Sequence, residues 1–199
     1  MRYASCLMAV ILFTSLLTAC ATFPEIIQIP VIQKSSLTTS EEALLQAVGV
    51  ERTFAFDVRL DQLPSEAVNF KVQVYESGEL TNTTMDFGMS GFLEKNTQRL
   101  IWSHIGAGIT GEEVWVLSFA GGTHRVKHEN ADDMMGWSWT QAESIEDVTP
   151  GETVMLAAVV GTRSGALRSP GVIFGGDEAD VDNPLALYDV AYVLTATFE

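Results

Sequence analysis

From Thr53 onward, apolar and polar positions alternate with a period of two. Phe54, Phe56, Val58 and Leu60 alternate with Thr53, Ala55, Asp57 and Arg59, the pattern of a strand with one buried face. Val68, Phe70, Val72 and Val74 repeat it against Asn69, Lys71, Gln73 and Tyr75. Glu76-Ser77-Gly78-Glu79 then reads as a hairpin turn into Leu80–Met89. Further strands are predicted over Arg99–His104, Val114–Phe119, Thr123–His128 and Thr153–Val160. The last is apolar on both faces, as a central strand would be, and Thr149-Pro150-Gly151-Glu152 before it is a turn. The chain closes on Tyr188, Val190, Tyr192, Leu194, Ala196 and Phe198, again at alternate positions.

A helical period occurs once. Thr39 with Glu42 three residues later is a capping-box signature, and Ala43, Leu44, Ala47 and Val48 share a face before Gly49. About eight strands and one short N-terminal helix make the chain mostly β, an antiparallel β-sandwich, with a closed β-barrel as the alternative. Residues 129–150 and 161–186 show no period and are expected to be surface loops, where any function would reside.

The first twenty residues follow different rules. Arg2 is followed by an apolar stretch from Cys6 to Leu17, and this ends in Leu17-Thr18-Ala19-Cys20. Hydrophobic length, small residues and a cysteine agree with an export signal. The segment resembles the lipobox signal peptide of bacterial lipoproteins. The resemblance implies cleavage before Cys20, a diacylglyceryl group on its thiol and acylation, as with palmitate, of the new amino terminus. More than one acyl chain makes a firm membrane anchor. It also implies a place in the cell envelope, facing outside the cytoplasm. Ala21 is not the Asp associated with inner-membrane retention, so a Gram-negative outer membrane and the single membrane of a Gram-positive cell both stay open. Three other readings stand beside it. Ala19-Cys20-Ala21 also suits ordinary signal peptidase, giving a secreted product that starts at Thr22. The stretch could otherwise be a retained anchor, or Cys20 a chance cysteine.

The expected organisation is thus a signal peptide over 1–19, the lipidated Cys20 and a tether over 20–39, and one β-rich domain over 40–199. Within the tether, Pro24 and Pro30 interrupt Ile26-Ile27-Gln28-Ile29, which reads as an extended linker or an edge strand laid on the domain.

Composition narrows the partners. The chain has 11 basic and 26 acidic residues, a formal charge of -15, and loss of residues 1–19 removes only Arg2 to leave -16. Such a surface repels phosphate backbones and anionic headgroups, which argues against nucleic acid and leaves a lipid anchor as the route to a membrane. Both cysteines, Cys6 and Cys20, precede the domain, so its stability must come from its core and not from a disulfide.

Four constellations bear on chemistry. Trp137-Ser138-Trp139, if extended, projects both indoles from one face, where with Trp102 or Trp115 they would stack on a sugar; ordinary core burial is the competing reading. Asp177, Glu178, Asp180 and Asp182 crowd four carboxylates into six residues, a candidate calcium loop, though Asn183 departs from the EF-hand pattern. His124 and His128, in a strand, are separated by about 13 Å and cannot share a zinc ion. Gly88-Met89-Ser90-Gly91-Phe92 has its second glycine one residue too early for a nucleophile elbow. No catalytic spacing emerges. The expected function is a lipid-anchored extracytoplasmic binding or envelope-assembly module, with an envelope protein or glycan as partner. The alternative is an extracytoplasmic hydrolase acting on cell-wall sugars or peptides.

Overall fold

The alternating segments pair into two antiparallel sheets that pack face to face. The computed structural model describes residues 30–63, 66–91, 96–106, 114–127, 134–167, 169–174 and 183–199. In chain order the elements are β1 (Ile32–Lys34), α1 (Thr39–Ala47), β2 (Val50–Arg59), β3 (Ala67–Glu76), β4 (Glu79–Ser90), β5 (Thr97–Ile105) and β6 (Val114–Phe119). They continue with β7 (Gly122–Lys127), β8 (Gly136–Gln141), β9 (Ser144–Ile145), β10 (Thr153–Thr162) and β11 (Val190–Phe198). One sheet has the order β7-β6-β5-β2-β1-β9 and the other β4-β3-β11-β10-β8. The molecule is a sandwich; the strands do not close into a barrel.

The period of two sets which side chains meet between the sheets. Phe54, Phe56, Val58, Leu100, Trp102, Leu117 and Phe119 from the first sheet are buried against Val68, Phe70, Val72, Val159, Leu194, Ala196 and Phe198 from the second. β10 is apolar on both faces because the second sheet is covered twice. Its outer face, with Ala158, Val160 and Val193, buries Ile173 and Leu185 from the 3-10 turns Pro170–Phe174 and Pro184–Leu187, and Tyr188 just after the second. The β3–β4 hairpin turns through Ser77 and Gly78, with φ of 50° and 85°, as a two-residue turn of that twist requires.

Four features depart from the expectations. The sheet reaches back into the segment expected to be a tether: Ile32, 1% exposed, lies in β1 between β2 and β9. The capping box sits one residue earlier, with Thr38 as the N-cap and Glu41 returning a bond to the Thr38 N–H, because Thr38 is extended while Thr39 is already helical. No residue of α1 is buried, and Leu44 and Val48 face solvent instead of the core. The stretch 129–150, expected to be loop, contains β8 and β9. β8 alternates over only two periods, Trp137-Ser138-Trp139-Thr140, too few to register as a strand without its partner β10.

Candidate functional site

At one end of the sandwich the inward-facing rows change from aliphatic to polar and aromatic. Arg52 of β2 pairs in register with His104 of β5, and His104 with Trp115 of β6. In the second sheet Trp139 of β8 pairs with Val159, and Val159 with Tyr192, so these three share the inner face. Aromatic contacts tie the rows together: Trp102 stacks on Trp115 at 4.8 Å, Trp115 lies 5.7 Å from Tyr192, and Tyr192 lies 6.2 Å from Trp137.

The two sheets do not cover each other fully here. β1 pairs with β2 only from Phe56 to Val58, and the last contact along that border is the Ser35 N–H donating to the Ala55 carbonyl. Beyond it the Thr53 side of β2 opens into a groove of about 510 Å³. Its floor is Thr53, Phe54 and Ala55; its walls are residues 34–37 with Glu42 on one side, and Trp139, Thr140 and Gln141 on the other. Lys34 and Glu143 form an ion pair of 2.6 Å beside it. α1 borders the groove, held by its cap and by Arg99, whose guanidinium reaches both Glu41 at 3.0 Å and Asp57 at 3.3 Å.

Trp139 is an inner-face residue that nevertheless remains 52% exposed on the wall of the groove, with the Arg52 guanidinium of the first sheet 4.3 Å from its ring centroid. Trp137, two residues earlier on the same face, packs against the core and on the backbone of Gly161, where an added Cβ would stand 2.9 Å from the indole. The tryptophan pair therefore divides: Trp137 is a packing residue and Trp139 a groove residue. Trp102 and Trp115 are buried and share no surface with Trp139.

The remaining candidates lie elsewhere. Cys20, the carboxylates Asp177, Glu178, Asp180 and Asp182, and His128 fall outside the described residues. His124 is half-buried in β7, and Ser90 is exposed at the end of β4. Among the described residues no three metal-ligating side chains cluster.

One pair escaped the sequence reading. His104, 6% exposed, has Nδ1 3.5 Å from the Glu51 carboxylate, and Glu51 lies so close over Gly106 that any Cβ there would collide with it. For His104 the signal was a polar residue in an inward frame, following Leu100 and Trp102, as Arg52 precedes Phe54, Phe56 and Val58; Glu51 falls at the register shift of β2 and had no such signal. Polar side chains in an apolar frame mark the strand ends at which the core gives way to an opening.

Residues 31–198 match the family model of the YgaN domain. No curated protein and no solved structure matches the chain.

Proposed function

We propose that this chain, which belongs to the YgaN domain family, is a lipid-anchored binding module of the cell envelope, held at Cys20 and facing outside the cytoplasm. Its ligand would be an envelope component received in the Trp139 groove. One observation carries this reading: a tryptophan on the inner face of a sandwich, half exposed beside an open groove, with a cation over its ring. An indole so placed loses little on folding and gains on contact with a partner, which is why exposed tryptophans dominate binding surfaces. The groove supplies hydroxyl, amide and carboxylate groups from Ser35, Ser36, Gln141 and Glu42 beside the ring, the mixture of apolar and orienting polar groups that a binding site uses.

The test is a photo-crosslinking residue placed at position 139 of the full chain and activated in growing cells, with the same residue at the exposed Thr83 of β4 as the control. Adducts of defined mass are expected at 139 and absent at 83. No adduct at 139, or the same adducts at both positions, removes the groove from consideration.

A further inference from the structure

The hydrogen-bonding pattern of β8 adds a constraint that the side chains alone do not. The Ala142 N–H donates to the Leu156 carbonyl at 2.8 Å, which fixes that pair as the bonded one in the β8–β10 ladder. In an antiparallel pair bonded and non-bonded positions alternate. Thr140 and Ser138 therefore turn their backbone groups toward β10, and Gln141, Trp139 and Trp137 turn theirs outward, toward the groove. On the far wall the Ser35 N–H bond to the Ala55 carbonyl and the Arg59 N–H bond to the Val31 carbonyl show that odd residues of β2 face away from β5, so the backbone of Thr53 turns into the groove.

The sandwich protects its other edges. β4 carries Glu79 and Asp86 and has two register shifts against β3; β7 carries Arg125 and Lys127; β9 is two residues long. Charges, bulges and brevity are the usual devices against unwanted strand pairing. β8 has none of them: it is six residues long, uncharged, without proline and in unbroken register with β10.

We infer that the edge of β8 that no strand pairs among the described residues receives an extended, basic polypeptide segment of an envelope protein as one more strand of its sheet; this rests on the groove being the binding site. Strand addition takes its affinity from main-chain bonds and its selectivity from alternate side chains. Here the outward N–H and C=O groups of Trp139 and Gln141 supply the first. The inward side chain of the added strand would fall between Trp139 and Glu42, a carboxylate for which no ion pair occurs among the described residues. A formal charge of -15 on the whole chain favours a cationic partner and opposes a second copy of the same acidic chain.

The experiment follows amide exchange in the full chain, purified in detergent, on titration with a blocked peptide of alternating lysine and valine, about eight residues long. Saturable protection is expected at the Trp139 and Gln141 amides. Glutamate in place of lysine, or N-methylation of alternate peptide nitrogens, should weaken binding by at least about tenfold. Gln141→Pro removes one outward N–H while leaving the bonds to β10, and should weaken binding by about tenfold with an unchanged thermal midpoint. If that variant does not fold, the N-methylated peptide makes the same distinction. Equal binding of the N-methylated peptide, or no protection at 139 and 141, overturns strand addition. So does binding of an N-acetylglucosamine oligosaccharide in place of the peptide. Protection already present in the free chain also overturns it. Dependence on protein concentration would then identify a second copy, and loss on deleting residues 21–29 the chain's own leading segment. Crosslinking at 139 that persists through any of these results leaves the binding reading standing without the strand.

Discussion

The Arg52 guanidinium lies 4.3 Å from the centroid of the Trp139 ring, and the two residues come from opposite sheets. Each faces inward at the border where the sheets no longer cover one another, and a cation over an indole face closes the gap that packing leaves. At a half-exposed site such a contact is worth about 0.5–1 kcal/mol. A double-mutant cycle of Arg52→Ala and Trp139→Ala, measured by urea denaturation, should return a coupling energy of that size. A coupling of zero would mean that the two side chains are neighbours without interaction.

Trp137 and Trp139 should differ sharply when truncated. Trp137→Ala removes a ring packed on Tyr192 and Gly161 and is expected to cost about 3 kcal/mol. Trp139→Ala should cost less than about 1 kcal/mol, since half of its surface is already in water. Equal losses would show that the groove side of β8 is packed as tightly as the core side.

Gly161→Ala probes the same contact from beneath. The new Cβ would meet the Trp137 ring at 2.9 Å and Val190 Cγ1 at 3.0 Å, both flanked by packed neighbours. The expected loss is about 1–3 kcal/mol, seen as a lower thermal midpoint. A neutral result would mean that the Trp137 ring shifts freely.

Three carboxylates carry an acid-side dependence. The Arg163 N–H, followed by the Thr162 hydroxyl and the Arg163 charge, holds Asp189 below its ordinary value. The Thr149 hydroxyl and N–H do the same for Glu152, and the Thr38 N–H and hydroxyl for Glu41, with help from Arg99. A carboxyl depressed on folding contributes stability that is present above its ordinary range of about pH 4 and is lost as pH falls through the folded value. These groups are exposed, so each contribution is small. Protonation also relieves the mutual repulsion of an acidic chain, which acts in the opposite sense. The decisive quantity is therefore the difference between wild type and Asp189→Asn in urea midpoint, which should narrow between about pH 5 and about pH 2. A difference constant over that range would mean that Asp189 titrates alike in the folded and unfolded chain.

Lipidation is tested directly. Wild-type chain should incorporate labelled palmitate and fractionate with membranes, and Cys20→Ala should do neither. An unlabelled wild type whose amino terminus is Thr22 would establish the secreted form instead.

The sequence alone determined an antiparallel, mostly β architecture, and the pairing of its strands into two separate sheets decided for the sandwich over the barrel. Phe54, Phe56 and Val58, like Val68, Phe70 and Val72, repeat every two residues, and a strand with one apolar face has to bury it against another such face. It determined the β3–β4 turn as well, because Ser77-Gly78 is short and joins two clear strands. Local pattern was too sparse for the site. β8 became a strand only through its ladder with β10, and the helix lost its inward face because it came to rest on the border of β2 instead of over the core. Trp137 and Trp139 occupy equivalent positions two apart on one strand, and nothing local distinguishes them. What separates them lies outside β8: Tyr192 and the Gly161 backbone of the same sheet receive Trp137, whereas in the opposite sheet β1 pairs with β2 only as far as Phe56 and leaves the Thr53 side open beside Trp139. Periodicity fixes which side of a strand is apolar, and only the meeting of the two sheets decides how much of that side is left open.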